Sequence, residues 1–476
     1  MQKNRLHILV LALFAGILNI GCTTNQQKRP NIIYIFTDQQ SESMMSCAGN
    51  KWVKTPAMDY IAENGVRFTR AYTTNPVCSP ARVSLMTGRF PGSFTDDKGN
   101  EVRENVGSMM IPAVSEEVRL TTIASFLQNA GYELAYGGKE HLPKPLMPTA
   151  LGFNDICNDE RDELAKSASD FILAKHEKPY FLVVSLINPH DICYMAIRDF
   201  AQSEHEKIII ANGKEELETL DKALLKPEGV SEEEFFNTYC PGLPVNFEPQ
   251  QDEPKAIEWL LSQRSFRKNA REKYTENDWR MHRWAYCRLT EVVDKQIQTV
   301  LNALKESGQE EETLVLFSSD HGDMDSSHRL EHKTALYEEA ANIPFMAMWK
   351  GHIPPSKVDS VHLISNGLDL LPTVCDFAGV KGVSDPRGMS LRPLFEGKQT
   401  DWRKTLGVES EVGKMVVDAE GYKYIRYREP SVEENLIDLN TDPFEQTHVT
   451  NIPGYSEKLN SLRNVMDTEW FPQIKE

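Results

Sequence analysis

Short apolar runs alternate with stretches of helical character along most of this chain. Strand-like runs lie at 32–36, 132–136, 180–187, 314–317 and 343–349. Runs of this length are typical of strands that are buried on both faces, as in a parallel sheet. Between them, helical patterns and helix-end signals predict helices at 55–65, 121–130, 167–175, 278–306 and 368–378. This order predicts an α/β fold with a mostly parallel central sheet sandwiched by helices.

Two parts of the chain depart from this alternation. Residues 192–277 are dense in Glu, Lys and Arg, contain several prolines and have no clear strand-like run. We interpret this region as an insertion into a main domain that spans 31–400. After Trp402, short β-type runs are followed by a predicted helix at 456–467, which indicates a small antiparallel sheet with one packed helix at 401–476.

The first thirty residues are typical of an export signal followed by a tether. Lys3 and Arg5 precede an apolar run, 6–20, that is short for a transmembrane helix. Gly21-Cys22 then resembles a bacterial lipoprotein cleavage site, with a polar tether over 22–30. We therefore expect the signal, 1–21, to be removed, Cys22 to be acylated, and the protein to reach the periplasm or outer membrane as a lipoprotein. Plain secretion with cleavage nearby is the alternative.

Charge and cysteine spacing exclude several classes of protein. The formal net charge is −18, which argues against nucleic acid as a partner. The chain has eight cysteines, and no two of them have the Cys-x-x-Cys spacing of zinc or thioredoxin-like sites. A chain of this size does not need disulfide staples, so we predict no disulfide framework.

Polar residues that could carry chemistry follow four of the predicted strands. Asp38, Lys139, His190 and Asp320 each come just after an apolar run. In open α/β sheets, ligands bind beyond the carboxyl ends of the strands. We therefore expect these four side chains to share one site.

The stretch Cys78-Ser79-Pro80-Ala81-Arg82 reads as a helix start. Ser79 suits the N-cap and Pro80 suits the first helical position. Cys78 would then lie just before a helix N-terminus, which favours anions, and Arg82 could reach the same point. The alternative is an ordinary capped helix beside an inert, buried cysteine.

These residues, in this order, resemble the type I sulfatases of the alkaline phosphatase superfamily. The resemblance rests on Cys78-x-Pro-x-Arg82, Gly-Lys139-x-His141-Leu, Asn-Pro-His190-Asp and Asp320-His321-Gly, and it extends from about residue 31 to residue 453. The Asp-His-Gly form is similar to that of the iduronate-sulfatase-like branch. The resemblance implies an alkaline-phosphatase-like fold and hydrolysis of sulfate esters.

The resemblance also implies the cofactors and the role of each residue. A formylglycine-generating maturation enzyme would oxidise Cys78 to formylglycine, and the aldehyde hydrate would attack sulfur. Calcium, Arg82, Lys139 and Lys333 would neutralise charge on the transferred group, His190 would protonate the leaving alcohol, and His141 would take a proton when the hydrate collapses. The implied calcium ligands are Asp38, Gln39, Asp320, His321 and the group derived from Cys78.

The substrate implied by export and by this family is a sulfated carbohydrate of the glycosaminoglycan or mucin type. We expect substrate contacts from the loop that carries His328, Arg329, Glu331 and His332. The insertion could add cations and aromatic faces from Arg264, Arg267, Lys268, Arg271, Trp259 and Trp279. The alternatives are a phosphate or phosphonate ester hydrolase of the same superfamily, and a non-catalytic glycan-binding lipoprotein.

Overall fold

The computed structural model describes residues 29–94, 114–428 and 430–472. The predicted signal and the acylation site at Cys22 lie outside these ranges. Within them, no helix has the length and apolar character needed to cross a membrane.

The strands belong to one large sheet, one two-stranded sheet and one four-stranded sheet. They are β1 (Asn31–Asp38), β2 (Gly65–Phe68), β3 (Ala71–Tyr72), β4 (Glu133–Gly138), β5 (Asn154–Cys157), β6 (Tyr180–Pro189), β7 (Thr313–Ser319), β8 (Phe345–Met348), β9 (Lys357–Asp359), β10 (Ile364–Ser365), β11 (Thr405–Ser410), β12 (Gly413–Asp418), β13 (Tyr422–Tyr427) and β14 (Glu433–Asp438). The large sheet has the order β5-β4-β6-β1-β7-β8-β2-β9, and its neighbours are parallel except where β8 pairs with β7 and β2. The predicted fold class is confirmed.

Helices cover both faces of the large sheet. In the described ranges they are α1 (Pro56–Glu63), α2 (Cys78–Thr87), α3 (Glu116–Leu120), α4 (Ile123–Asn129), α5 (Leu164–Leu173), α6 (Cys193–Phe200), α7 (Glu204–Asn212), α8 (Lys214–Ala223), α9 (Glu232–Glu234), α10 (Lys255–Ser262), α11 (Ser265–Lys273), α12 (Glu276–Glu306), α13 (Glu338–Ala341), α14 (Asn366–Phe377), α15 (Arg392–Phe395) and α16 (Ser456–Val465).

The central strand β1 shows why its sequence is apolar throughout. Successive residues of a strand point to opposite faces of the sheet. Tyr34 and Phe36 pack in the core that includes α2, α4 and α14. Ile33 and Ile35 pack in the opposite core, with α1, α5 and α12. Because both faces are covered, every position from 32 to 36 is buried and apolar.

The region 192–277 folds into the helices α6 to α11, and β-strands are absent from its described residues. Its apolar residues pack against the N-terminal half of α12. Trp279, which we expected to offer a face to a sugar, is 1% exposed and packs against Phe247 and Tyr274. That expectation is wrong, because tertiary packing encloses the indole.

The four-stranded sheet is an antiparallel meander in the order β11-β12-β13-β14, with α16 beside it. It shares a hydrophobic core with residues 335–341 of the main domain. A buried lysine, Lys423 of β13, joins the two parts, with Nζ 3.0 Å from Oε1 of Glu338 and 2.8 Å from Oε1 of Glu445.

Candidate active site

The carboxyl ends of four neighbouring parallel strands supply the predicted polar residues. Asp38 is the last residue of β1, and Asp320, Lys139 and His190 directly follow β7, β4 and β6. These strands are adjacent in the order β4-β6-β1-β7. The topology therefore brings the four side chains to one edge of the sheet.

Helix α2 delivers Cys78 and Arg82 to the same edge, but it begins earlier than predicted. Cys78 is its first residue, and the backbone N–H of Ala81 donates to the carbonyl of Val77 at 3.0 Å. Val77 is therefore the N-cap, and the assignment of Ser79 to that position is wrong. Pro80 falls within the first turn, where a missing N–H costs no intrahelical bond.

Arg82 links the two carboxylates of the site. Its Nη2 donates to Oδ2 of Asp38 and its Nε to Oδ2 of Asp320, both at 2.9 Å. Its Nη1 donates to the carbonyl of Lys139 and to Oγ of Ser185, at 2.7 and 2.8 Å. Arg82 is 1% exposed, so its protein partners satisfy a buried cation. Although burial opposes it, the two carboxylates raise the pKa of Arg82. We infer that Arg82 mainly positions Asp38 and Asp320.

The remaining oxygens of these carboxylates face a third ligand, His321. Its Nε2 lies 3.7 Å from Oδ1 of Asp38, 3.6 Å from Oδ1 of Asp320 and 3.2 Å from Sγ of Cys78. Its Nδ1 lies 2.9 Å from the carbonyl of Gly322. Because a carbonyl only accepts, Nδ1 carries a proton, and Nε2 is the ring nitrogen that faces the site and would offer a lone pair to a cation once it is deprotonated. Although burial opposes it, the charge of Asp320 raises the pKa of His321.

These donor atoms fit a divalent cation. One ligand atom each from Asp38, Cys78, Asp320 and His321 lies within 4.8 Å of the others, and all four residues are buried. Gln39 could add an amide oxygen, since its Nε2 donates to Oδ2 of Asp323 at 2.6 Å and so fixes the direction of Oε1. Carboxylate and amide oxygens suit a hard cation such as calcium.

Cations surround the thiol of Cys78. Nζ of Lys333 lies 2.9 Å from Sγ, and Nζ of Lys139 lies 2.7 Å from Oδ2 of Asp38. Although burial opposes ionisation, Lys333, Lys139 and His321 hold the pKa of Cys78 well below its usual range. Despite its burial, the pKa of Asp38 is also low, because Lys139, His190 and Arg82 favour its charged form. The site is built to stabilise negative charge at the position of Sγ.

Two further histidines lie beside Cys78. His190 and His141 line the same cavity as the thiol. Burial and the charge of Lys139 lower the pKa of His190 to about 3, so its imidazole is neutral at pH 7 in the free site. His141 has a left-handed backbone, with φ of 43°. Non-glycine residues in this conformation are uncommon and occur preferentially at functional sites.

A cavity of about 280 Å³ opens above Cys78. Cys78, His190 and Lys333 line it together with residues of α6, α7 and α11 from the 192–277 region. Arg264 and Arg267 line it, as does Glu411 from the turn between β11 and β12. The insertion and the C-terminal sheet thus both contribute to the wall around the reactive position.

Of the predicted substrate contacts in the loop from 325 to 334, some line the cavity and others do not. Asp325, Ser326, His328, Arg329, His332 and Thr334 all have positive φ. His332 lines the cavity, next to Lys333. His328 instead stacks on Tyr337, with 4.1 Å between ring centroids, and Arg329 pairs with Glu248 at 2.8 Å. His328, Arg329 and Glu331 do not line the cavity.

Cys193 and Glu411 line the cavity but were not predicted from the sequence. Cys193, the first residue of α6, places Sγ 3.1 Å from Oε1 of Gln39. Burial raises the pKa of its thiol to about 12, so it stays protonated at neutral pH. In the sequence, the feature that could have pointed to Cys193 as a site residue was its position three residues after His190. Glu411 lies in the C-terminal part, and no local pattern connects it with Cys78.

The chain belongs to the sulfatase family. The family's sequence model matches residues 30–380, and the model described as N-sulphoglucosamine sulphohydrolase, C-terminal, matches residues 326–470. Members of this family generally use formylglycine and a divalent metal. The protein is therefore an enzyme that hydrolyses sulfate esters, and this function is supported over the phosphate or phosphonate alternative.

Individual relatives align over nearly the whole chain. A Delta 4,5-hexuronate-2-O-sulfatase of Bacteroides thetaiotaomicron is 27% identical, over 95% of this chain and 91% of the relative. An N-acetylglucosamine-6-O-sulfatase of the same organism is 25% identical, over 98% of this chain and 91% of the relative. The solved structure of a 2-O GAG sulfatase has a TM-score of 0.72 at 25% identity and covers 92% of this chain and 91% of its own.

Proposed function

We propose that this sulfatase removes sulfate from a sulfated carbohydrate, with formylglycine derived from Cys78 and with calcium. The observation that carries the proposal is the position of Cys78. Its Sγ lies 2.9 Å from Nζ of Lys333 and 3.2 Å from Nε2 of His321, beside two carboxylates that Arg82 holds. An inert structural cysteine needs no such surroundings.

Asp38, Gln39, Asp320, His321 and the group derived from Cys78 are the proposed calcium ligands. Bound there, calcium would supply positive charge beside the transferred sulfate, and formylglycine would supply a nucleophilic oxygen. We assign His321 as a calcium ligand because its Nδ1 is bound to the carbonyl of Gly322, which leaves Nε2 facing the site. The likeness of its Asp-His-Gly motif to the iduronate-sulfatase branch remains a prediction.

The other proposed roles belong to side chains around the reactive position. Lys333 and Lys139 would stabilise charge on the sulfate oxygens, because both ammonium groups are fixed beside Cys78 or Asp38. His190 would protonate the leaving alcohol, because the negative charge of the bound sulfate would raise its pKa above the low value of the free site. His141 would take a proton from the group derived from Cys78, since both residues line one cavity.

The proposed substrates are glycosaminoglycan or mucin-type glycans, whose sugars carry sulfate esters. Relatives that are named for hexuronate 2-O-sulfate and N-acetylglucosamine 6-O-sulfate support this class. The region 192–277 would set substrate choice, because its helices wall the cavity while the proposed chemical residues lie outside it. His332 is the contact from the 325–334 loop that we retain.

We also propose that the enzyme is exported as a lipoprotein through acylation of Cys22. The basic start, the apolar run 6–20 and the polar tether support this location. Labelling with a radioactive fatty acid should mark the wild-type protein and not Cys22→Ala. Equal labelling of both would reject the anchor.

The test of the chemistry combines peptide mass and turnover. In protein produced with a formylglycine-generating enzyme, the peptide that contains Cys78 should lose H₂S and gain O. Cys78→Ala should then release sulfate from a sulfated disaccharide at least about a thousandfold more slowly, as expected for a lost nucleophile. An unmodified peptide together with full turnover in Cys78→Ala would reject formylglycine chemistry. An unmodified, inactive wild type would favour the non-catalytic glycan-binding alternative.

A further inference from the structure

Arg267 on α11 is half-buried, and its Nε is buried without a hydrogen-bond partner. It lines the cavity above Cys78, yet no hydrogen bond or ion pair to a described residue holds its guanidinium. Its Cζ lies 6.0 Å from the centroid of the Phe266 ring. Burial lowers the pKa of Arg267, and the charge of Glu411, which also lines the cavity, offsets this in part without forming an ion pair.

Arg271, one turn further along α11, provides the comparison. Its two terminal nitrogens donate to the two carboxylate oxygens of Glu253, at 2.9 and 2.7 Å. Arg271 is thus a structural residue, and the glycan contact that we expected from it is not available while this pair is intact. A buried polar group is costly unless it is paired, and the buried Nε of Arg267 lacks a partner of the kind that Arg271 has.

This cation lines the same cavity as the proposed sulfate site. Lys333 and Arg267 line the same space of about 280 Å³, which is near the lower limit of small-molecule pockets and suits about one sugar residue. His332 lines the same cavity, and burial and the charge of Arg267 hold the pKa of its imidazole well below its usual range, so it is neutral. A planar guanidinium matches carboxylate or sulfate oxygens in pairs.

We propose that Arg267 binds a second anionic group, a carboxylate or a second sulfate, on the same sugar residue whose sulfate ester is hydrolysed. This rests on the proposed function. It makes Arg267 a specificity residue for acidic or multiply sulfated sugars. A charge-assisted hydrogen bond of this kind changes kcat/KM by roughly ten- to hundredfold.

The test compares sugars that differ only in the second anion. One pair is a 2-O-sulfated unsaturated uronate disaccharide and its carboxyl-reduced form. The other is glucosamine 2-N,6-O-disulfate and glucosamine 6-O-sulfate with an N-acetyl group. We expect the wild type to prefer the more anionic member of one pair at least tenfold in kcat/KM, and Arg267→Ala to lose that preference. The pair that responds distinguishes carboxylate from sulfate.

Lys268→Ala is the matched control, because Lys268 is the next residue of α11 and its side chain is 62% exposed beside Glu272. It should keep the wild-type preference. Arg267→Gln repeats the measurement if Arg267→Ala does not fold. The proposal is overturned if the wild type has no preference in either pair, if Arg267→Ala keeps it, or if the variant loses both members of a pair equally.

A binding measurement separates this proposal from the proposed function. Calorimetry with glucuronate, glucosamine 2-N-sulfate and uncharged glucose requires no turnover. We expect one of the two anionic sugars to bind the wild type at least tenfold more tightly than glucose, and Arg267→Gln to remove the difference. If the wild type releases no sulfate but shows this binding, the proposed sulfatase chemistry is rejected and the proposed anion site at Arg267 is supported. Equal binding of all three sugars overturns the site.

Discussion

Nζ of Lys333 lies 2.9 Å from Sγ of Cys78, although the two residues are 255 positions apart in sequence. Lys333 comes from a loop in which left-handed residues are frequent, and Cys78 from the first turn of α2. The same ammonium group also donates to Oε1 of Gln39 at 2.8 Å. Lys333 thus connects the reactive position with a proposed calcium ligand.

Lys333→Ala should lower kcat by about a hundred- to a thousandfold, because it removes a fixed cation from the position where charge develops. The measurement is sulfate release at saturating substrate, with the melting temperature as a check on folding. Lys268→Ala, which removes an exposed lysine from α11, should be close to wild type. A Lys333→Ala enzyme that is folded and within threefold of the wild-type kcat would contradict the role of Lys333.

Calcium should stabilise chelator-stripped protein. The oxygens of Asp38 and Asp320 that face His321 form part of a buried cluster suited to a divalent ion, and a ligand that binds only the folded state stabilises it by about 2.7 kcal/mol at a hundred times its Kd. The melting temperature should therefore rise with added calcium. Asp320→Asn should weaken the response, whereas Asp170→Asn, at an exposed position of α5, should leave it unchanged. An unchanged melting temperature, with undiminished turnover in Asp38→Ala, would reject the metal.

The residues that the sequence predicted best follow strands. Asp38 and Asp320 follow apolar runs that are easy to recognise, and parallel topology requires their strand ends to meet at one edge. Local sequence patterns and one rule of topology were sufficient to predict that Asp38 and Asp320 share a site. Lys139 and His190 were found in the same way. The fold class was predictable for the same reason.

The residues that the sequence predicted poorly depend on non-local packing. We expected Trp279 and Arg271 to contact the glycan. Packing instead buries the indole of Trp279, and Glu253 forms an ion pair with the guanidinium of Arg271. His328 and His332 are close neighbours in sequence, yet only His332 lines the cavity. Positive φ values through their loop remove the periodicity that would indicate which side chains share a face.

Asp294 should make stability depend on pH. It lies on α12 and accepts hydrogen bonds from the backbone N–H groups of Ala57, at 3.1 Å, and Met58, at 2.9 Å, in the first turn of α1. Burial raises its pKa from 3.8 to about 6. Because the folded value is the higher one, the unfolded state loses its proton first, and the free energy of unfolding falls as pH rises from about 4 to about 6.

Asp294→Asn removes this titration while keeping an acceptor oxygen. Relative to wild type, the variant should gain up to about 3 kcal/mol of stability between pH 4 and pH 7, since each pKa unit corresponds to about 1.4 kcal/mol. Urea denaturation at both pH values measures the change. Asp170→Asn, at an exposed position, should show no such trend. A stability difference between Asp294→Asn and wild type that is the same at both pH values would contradict the raised pKa.

Lys423 should stabilise the packing of the C-terminal sheet on the main domain. Its side chain is 0% exposed, and its removal would leave the buried Glu445 and the partly buried Glu338 without their cation. Lys423→Met should therefore destabilise the protein by about 3–5 kcal/mol, the usual cost of leaving a buried charge without its partner. Lys423→Met with Glu445→Gln should recover part of this loss, because one of the two stranded charges is gone. Lys458→Met, which breaks a partly exposed pair with Asp418 in the same sheet, should cost less than about 1 kcal/mol. Urea denaturation of the three variants measures their free energies of unfolding. A Lys423→Met protein as stable as Lys458→Met would show that the buried lysine does not stabilise the contact between the two parts.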